Sequence, residues 1–435
     1  MSRTGISAPI GRYYLFQATD SVGFIWPVFT LFLLWKDLTF AQIGTLGAVS
    51  ALLVVVLEVP TGYVADRLGR RNALAIGMAA MTLSIAGFVV ADSFRSFLVL
   101  YAVWSVSLAF QSGTADAWLY ETLRAGDGEG NEADFTRIRG RGGSVHQWVS
   151  AVTMIGGGLL YAIEPTYPFL ASAALNGAGV AAVLTMPKNA QFDGTSETSV
   201  ADSPGVLEML SMLRRLFAGP SFRVFVPLVA LFFALVNVAD TYIQPITVEV
   251  LNDAPPLSIF AGSLPEEAAL GFLYAGFAVL AAIASYHAET VRSLVGLRTA
   301  LLTVPVVTAA AVLVPTVVPV LAIPVFFGMK GARALYEPLV NQYLNDRSAS
   351  VGRATVLSAA SMGYALVRVP LKPLAGFVAD LTSPITLLAL LGGGFLAFAL
   401  PLIALRSPIP ETACSSEERP SFQDASVDGR QSGRD

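Results

Sequence analysis

Ionisable side chains stand inside long apolar runs of this 435-residue sequence, a setting in which charge is costly. A charged residue in hydrocarbon costs about 3 kcal/mol on insertion scales, so such groups usually face a protein interior and serve a purpose. Acids there can take up and release protons, and bases can bind the anionic or polar part of a small molecule. The candidates are Asp20, Asp116, Asp240, Lys330, Arg333, Glu337, Arg368 and Lys372. The last two are four residues apart and share one helix face.

The apolar runs that surround these residues indicate a membrane. The chain is 54% hydrophobic and only 13% charged, which is too apolar for a soluble protein of this length. A membrane-crossing helix needs about 20 apolar residues, and Pro315 and Pro319 should break one overlong run. We predict an all-α membrane protein with twelve transmembrane helices, at 13–35, 41–65, 73–91, 97–120, 144–162, 168–186, 224–248, 268–288, 299–314, 318–344, 354–379 and 384–405.

A polar stretch divides these spans into two sets of six. We predict an N-terminal six-helix bundle over 1–186, a cytoplasmic linker over 187–223 and a C-terminal six-helix bundle over 224–405. Apolar residues at helical spacing in 206–217 indicate either an amphipathic helix on the membrane surface or an extension of the next span. The polar tail, 406–435, is expected to be disordered and cytoplasmic.

Basic residues give the orientation. The predicted topology leaves Lys36 and Arg95 on one side, four bases within spans, and the other 21 of the 27 on the opposite side. Lysine and arginine concentrate in cytoplasmic segments of membrane proteins. Both termini are therefore expected in the cytoplasm.

The sequence lacks the residues that several other kinds of function require. The single Cys414 allows neither a disulfide framework nor a cysteine metal site, and His146 and His287 are far apart in the sequence. The sequence contains no nucleophile elbow, no phosphate-binding loop and no basic patch of the kind that binds nucleic acid. We expect no enzyme, no cofactor, no metal and no nucleic-acid partner.

The predicted turn after the second span is densely charged. Residues 62–71 read GYVADRLGRR, between two apolar runs. A glycine permits two helices to approach closely, and an acid can accept hydrogen bonds from a helix N-terminus. This stretch resembles the signature loop between helices 2 and 3 of the major facilitator superfamily, G-x-x-x-D-R-x-G-R-R. The matching positions are Gly62, Asp66, Arg67, Gly69, Arg70 and Arg71.

That resemblance implies a fold, a mode of action and a gate. The fold would be two six-helix bundles that rock about a central cavity lined by the first, fourth, seventh and tenth spans. Asp66 should bond a helix N-terminus of the opposite bundle on the cytoplasmic side, with Arg67 and Arg70 completing a charge network. The alternative is that Asp66 caps only its own loop.

Shorter stretches resemble a prokaryotic branch of the superfamily. They are Glu58–Gly62, Ser112–Glu121 and Arg353–Ser358. Arginine greatly outnumbers lysine and the loops are rich in acids, which is compatible with a salt-adapted, haloarchaeal host.

Two internal similarities are also present. Residues 376–380 read GFVAD and echo GYVAD at 62–66, on the opposite side of the predicted membrane. Residues 288–301 resemble a degenerate copy of the signature loop. Inverted repeats would produce such echoes, although five residues can also match by chance.

The sequence departs from proton-coupled drug exporters of the superfamily at two places. Leu108 stands where many members carry an arginine, three residues before Gln111. Thr153 and Met154 stand where drug antiporters carry Gly-Pro, although three glycines follow at 156–158. These absences favour a facilitated uniporter or an importer over a drug/proton antiporter.

We therefore predict a secondary transporter in the cell membrane that moves a small solute by alternating access, with proton coupling left open. Lys330 and Arg368 should bind an anionic or polar group of the solute, and Asp20 should be the proton-responsive carboxylate. A structural interpretation stays open, in which Arg333 pairs with Glu337 and the acids pair with bases as conformational locks. The alternative function is a transport-inactive membrane receptor or scaffold of the same fold. A monomer in the lipid bilayer is expected.

The predicted topology can be tested with reporter fusions. Fusions after Ser199 and Ser421 should report from the cytoplasm, and a fusion after Ser263 should report from outside, because an even number of spans separates the first two. An outside signal at Ser421 would mean an odd number of spans and would refute the break at Pro315.

Overall fold

A computed structural model describes residues 8–125, 132–188, 223–253, 265–347 and 353–405. These residues form helices joined by short turns, and the described ranges contain no strand. The helices in chain order are α1 (Ala8–Thr19), α2 (Phe29–Trp35), α3 (Phe40–Leu68), α4 (Arg70–Val90), α5 (Phe94–Gln111), α6 (Thr114–Ala125), α7 (Glu132–Ile163), α8 (Tyr167–Thr185), α9 (Phe225–Asp240), α10 (Ile243–Asp253), α11 (Glu266–Tyr286), α12 (Ala288–Val295), α13 (Leu297–Ala311), α14 (Ala322–Arg347), α15 (Arg353–Leu381) and α16 (Pro384–Leu405).

Not every predicted span has the length and hydropathy of a membrane helix. Seven described helices do, and the count reaches eight if α9 and α10, bent by 51°, form one span. The other predicted spans are the interrupted pair α1 and α2, together with α7, α14 and α15, which carry several charged residues each. Charge is concentrated in these helices, as expected where a membrane protein encloses a polar interior.

Three predicted spans are broken near their middle. The backbone leaves helical geometry between α1 and α2, at residues 20–25, and again between α9 and α10. Between α5 and α6 the break falls at Ser112 and Gly113, and Gly113 has a φ of +67° that favours glycine. Each break redirects the polar residues that follow it.

Two boundaries differ from the sequence-based prediction. The polar stretch before the fifth span is predicted from the sequence to be a cytoplasmic loop in which a short helix around Phe135–Arg139 is left open, but α7 begins at Glu132, about three turns before residue 144, and continues into the span. Glutamate and arginine are good helix formers, so a helix can continue into water without an apolar face. The break near Pro315 is present as two short 3₁₀ turns, Val314–Thr316 and Pro319–Leu321. The predicted linker helix and polar tail lie outside the described residues.

The helices pack as two bundles with separate cores. Buried apolar side chains from residues 225–399 form one cluster, and those from residues 13–186 form three others. Between the bundles, α3 packs against α15 and α7 packs against α11.

Glycines allow these inter-bundle contacts to be close. A Cβ at Gly158 of α7 would stand 2.6 Å from the carbonyl oxygen of Glu267, and one at Gly271 of α11 would stand 2.6 Å from that of Met154. On the other interface, a Cβ at Gly44 or Gly376 would clash with the backbone of the partner helix. Small residues are what membrane helices need for backbones to meet in this way.

The degenerate copy of the signature loop shares its backbone turn with the first. Gly69 separates α3 from α4 with φ +84° and ψ 146°, and Gly296 separates α12 from α13 with φ +81° and ψ 147°. Both values lie in a region that L-residues avoid. The two halves therefore turn at matching points, although Asp66 has no aligned counterpart before Gly296.

Candidate functional site

A cavity of about 700 Å³ lies between the two bundles. The N-terminal bundle contributes α3 together with residues of the α2 and α5 region, and the C-terminal bundle contributes α9, α11 and α15. At one end the cavity is lined by Gln244 and Lys372. At the other end it is lined by Glu58, Leu108 and Ser361, and these three residues are exposed. A cavity of this size and position can hold a small molecule.

The cavity is closed at the end where α3 begins and α15 ends. The carboxylate of Asp380, at the end of α15, accepts hydrogen bonds from the backbone N–H groups of Phe40 at 2.8 Å and Ala41 at 2.9 Å. Those are the first two N–H groups of α3, so the carboxylate meets the positive end of the helix dipole. The contact joins the two bundles at the side predicted to face outward.

A buried glutamine makes a second closure at the same end. Gln244 of α10 accepts hydrogen bonds from the N–H groups of Thr30 at 2.7 Å and Leu31 at 3.2 Å, and donates to the carbonyl oxygen of Trp26 at 2.9 Å. Its amide nitrogen also lies 3.2 Å from the hydroxyl oxygen of Tyr274. One side chain thus satisfies backbone groups that the interruption between α1 and α2 leaves without helix partners.

At the opposite end, the signature loop makes its described contacts within its own bundle. Asp66 forms a 2.7 Å ion pair with Arg70, and Arg70 also reaches Glu121 at 3.4 Å. The guanidinium of Arg67 stacks on Tyr63 at 4.3 Å. Arg71 lies 3.5 Å from the carbonyl oxygens of Leu184 and Met186.

Gly62 does not have the close helix contact that the sequence predicted. A Cβ at that position would have no heavy atom within 4 Å, because the helix ends are spread apart on this side. The loop therefore stands open in this conformation, and the cavity mouth lies on the same side.

Two of the predicted binding residues neutralise each other. The ammonium of Lys330 on α14 forms an ion pair with Oδ1 of Asp240 on α9, and both side chains are mostly buried. The ammonium also lies 5.8 Å from the ring centre of Tyr274 and 5.9 Å from that of Phe277. Asp240 lines the cavity, whereas Lys330 lies behind that wall. Breaking a buried pair of this kind is costly because it leaves one charge uncompensated.

Arg368 and Lys372 are the two bases that line the cavity. Within the described ranges neither forms an ion pair, and Nε of Arg368 is buried without a hydrogen-bond partner. A Cβ at Gly47 would stand 3.1 Å from Nζ of Lys372, so the ammonium lies against bare backbone of α3. The predicted shared face of the two bases is therefore directed at the cavity.

Asp20 lies outside the cavity, at the first break of the chain. In the amide orientation that satisfies its neighbours, Nε2 of Gln111 lies 3.0 and 3.2 Å from the two carboxylate oxygens of Asp20. Oε1 of the same amide accepts from the hydroxyl of Ser107 at 2.9 Å. His146 on α7 is close enough for its charge to act on Asp20. Asp20 is thus held within the N-terminal bundle by Gln111 of α5.

The other predicted site residues are also placed away from the cavity. Asp116, in the first turn of α6 just after the break at Gly113, pairs with Arg139 at 2.8 Å. Glu337 is exposed, and in the described part of α14 it forms no ion pair with Arg333. The expected lining from the tenth span is therefore replaced by lining from α3 and α15.

Comparison with known proteins agrees with this architecture. Residues 15–369 match the family profile described as the Major Facilitator Superfamily. The chain belongs to the Major Facilitator Superfamily. Over 160 residues it is 28% identical to an uncharacterized MFS-type transporter, YxaM, of Bacillus subtilis (strain 168). That stretch is 36% of this chain and spans only 38% of the relative.

Solved structures show the same superfamily fold at low identity. The nucleoside transporter NupG matches with a TM-score of 0.72 and 13% identity, covering 91% of this chain and 97% of that one. The peptide transporter POT in complex with sulfate matches with a TM-score of 0.67 and 12% identity, covering 93% and 95%. A D-xylose-proton symporter matches with a TM-score of 0.60 and 15% identity, covering 93% and 97%.

Three features of the cavity in this superfamily member were not predicted from the sequence: the two closing residues, Gln244 and Asp380, and the aromatic lining. Gln244 carried no signal except a polar residue inside an apolar run. Asp380 was visible only as the end of the GFVAD echo at 376–380. The aromatic lining residues Phe29, Tyr101 and Trp104 could not be told from core residues by periodicity, because both occupy the buried faces of helices.

The buried pair can be tested by its two single changes and their combination. Asp240→Ala and Lys330→Ala should each lower the melting temperature of the purified protein, because each strands a buried charge at a cost of about 3–5 kcal/mol. The double variant should recover most of that loss in a double-mutant cycle. Additive losses would show that the ion pair does not carry the effect.

Proposed function

We propose that the protein is a secondary active transporter that moves a small solute across the cell membrane by alternating access. The observation that carries this proposal is the cavity between two bundles, closed at one end by Asp380 and Gln244 and lined by exposed residues at the other. A site shared by two packed bundles can open to either side when one bundle rocks against the other.

The proposed orientation places both termini in the cytoplasm and twelve spans in the membrane. The uneven distribution of lysine and arginine supports it. With that orientation the closed end of the cavity faces outward and the structure corresponds to an inward-open state. The proposed domains are the two bundles at 1–186 and 224–405, joined by the segment 187–223.

A small solute is the cargo that the similar proteins favour. Their names include a nucleoside transporter, a peptide transporter and a D-xylose-proton symporter. The last of these supports proton coupling as an option, and a uniporter or an importer remains our preferred type over a drug/proton antiporter.

We assign the proton-responsive role to Asp20. It is buried at a backbone break and contacts Gln111, with His146 nearby, while lying apart from the cavity. A carboxylate in that position can gain or lose charge without touching the solute. Its charge would alter how the first, fourth and fifth spans pack, which gives protons a route to bias the two conformations.

The test begins by finding a solute and then separates exchange from coupling. A panel of metabolites is screened on proteoliposomes by solid-supported-membrane currents, and the active solute is then followed in counterflow. Asp20→Asn should retain part of the exchange rate but lose the response to an imposed pH gradient. Asp134→Asn, an exposed surface change, should behave as the wild type. An Asp20→Asn protein with a normal pH response would contradict the assignment.

The same experiment separates the transporter from the alternative of a transport-inactive receptor or scaffold. A receptor would bind a solute in the cavity without moving it. Binding without counterflow, by protein reconstituted in both orientations, would therefore favour the receptor.

We propose that the two similar pentapeptides form gates at opposite ends of one helix pair. GYVAD lies near the end of α3 and GFVAD near the end of α15, and the end of α15 lies against the start of α3. Asp380 caps the first residues of α3 in this structure. In the opposite state, Asp66 would leave Arg70 and cap the start of α15, with Arg67, Arg70 and Arg71 holding the loop in place.

Neutralising the two acids should therefore have opposite effects. Charge–dipole and charge-assisted hydrogen bonds of this kind contribute about 1–2 kcal/mol, which is a roughly 5- to 30-fold shift between states. Asp380→Asn should raise labelling of a cysteine at Ile43 by an impermeant thiol reagent added from outside, and Asp66→Asn should lower it. The assay uses a Cys414→Ser background, and Asp37→Asn is the control because Asp37 is exposed beside the closure. Equal labelling in all variants would refute the paired gates.

A further inference from the structure

The cavity has one apolar, aromatic wall and one cationic wall. On the N-terminal bundle, the ring of Phe29 lies 6.1 Å from that of Tyr101 and 5.8 Å from that of Trp104, both on α5. Phe88 backs this group, with ring centres 5.7 Å from Tyr101 and 6.0 Å from Trp104. Phe29, Tyr101 and Trp104 line the cavity, so their faces and edges are available to a flat molecule.

The facing wall carries the positive charge. Arg368 and Lys372 line it without ion-pair partners among the described residues, and Asn237 lies on the same wall. Nε of Arg368 and Oδ1 of Asn237 are covered by protein atoms and have no hydrogen-bond partner. Buried polar atoms are normally paired, so a ligand would gain most where a small rotation of these side chains lets it reach them.

The charge of the cavity favours an anionic ligand. Lys330 pairs with Asp240, and Glu58 lies at the exposed mouth, which leaves Arg368 and Lys372 as positive charges on the wall. The charge of Arg333 on α14 also acts on Arg368. An anionic group would offset this excess of positive charge, whereas a cation would face both lining bases.

We propose that the transported solute is an aromatic carboxylate. Its carboxylate would lie between Arg368 and Lys372, where the guanidinium can donate in bidentate fashion, and its ring would stack on Phe29, Tyr101 and Trp104. A hydroxyl or N–H group on the ring would meet Oδ1 of Asn237 once that side chain rotates toward the cavity. This proposal rests on the proposed function, since it takes the inter-bundle cavity to be the transport site.

Matched probes test the two walls separately on the purified full-length protein by isothermal titration calorimetry. 2-Naphthoate should bind at least tenfold more tightly than each of two probes: 2-naphthamide, which lacks the charge, and cyclohexanecarboxylate, which lacks the aromatic ring. This comparison uses the wild type, so it does not depend on any variant folding. Equal affinities for the three probes, or no binding of 2-naphthoate up to about 10 mM, a concentration at which even weak specific ligands bind, would overturn the proposal.

Variants then locate each contact. Arg368→Gln should weaken 2-naphthoate at least tenfold and abolish its preference over 2-naphthamide, while Arg368→Lys should keep that preference. Arg95→Gln, an exposed arginine without a described ion pair, is the matched control. Trp104→Leu should weaken 2-naphthoate but not cyclohexanecarboxylate, and Trp148→Leu is its control because Trp148 is 74% exposed. Unchanged preferences in Arg368→Gln and Trp104→Leu would overturn the assignment of the walls.

Failure of this inference is distinguishable from failure of the proposed function. Counterflow of some other solute without binding of 2-naphthoate would leave a transporter and remove the aromatic carboxylate class. Tight, preferential binding of 2-naphthoate without counterflow in proteoliposomes would support the class of ligand and remove transport.

Discussion

The contact between α3 and α15 is the interaction on which the rest of this structure depends. Two long helices meet closely at one end because Gly44 and Gly376 have no side chains there. The carboxylate of Asp380 then covers the first N–H groups of α3, which would otherwise lack partners. The two helices diverge from this point, and the cavity occupies the space between them. Neither bundle alone would create that space, and the contact closes it at the end where α3 begins.

Charge pairing decides which residues of the cavity can bind a solute. Eight ionisable residues were candidates, and each was costly to place in an apolar run. In the structure, some of these residues form ion pairs and others line the cavity without one. Asp240 is cancelled by Lys330, Asp116 is bound to Arg139 near the surface, and Arg368 and Lys372 remain for a ligand. An unpaired cation in a membrane protein is stable only if the cavity is hydrated or occupied, and a transport cavity meets both conditions in turn.

The sequence predicted what depends on local composition and failed where distant segments meet. Hydropathy and the prolines at 315 and 319 gave most helix limits, and the charged loop at 62–71 indicated the family. The lining was predicted less well, since Asp20 and Asp116 lie in spans that should face the cavity but were redirected by backbone breaks. Gly113 is a recognisable break, whereas the interruption at 20–25 has only Gly23 and Pro27 to mark it. Ion-pair partners could not be foreseen, because Asp240 and Lys330 are far apart in the chain.

The segment from Asp20 to Leu31 brings the buried acid, the cavity and the outer closure into one short stretch of chain. Asp20 contacts Gln111 at its start, Trp26 and Phe29 line the cavity at its middle, and Thr30 and Leu31 donate to Gln244 at its end. Because much of this stretch is not helical, its backbone groups depend on side chains from other helices for their hydrogen bonds. A change of charge at Asp20 or of occupancy beside Phe29 therefore acts on the same backbone that Gln244 holds closed. Spatial proximity alone does not establish coupling, but a change at any of these three sites would bear on one non-helical stretch whose hydrogen bonds come from other helices.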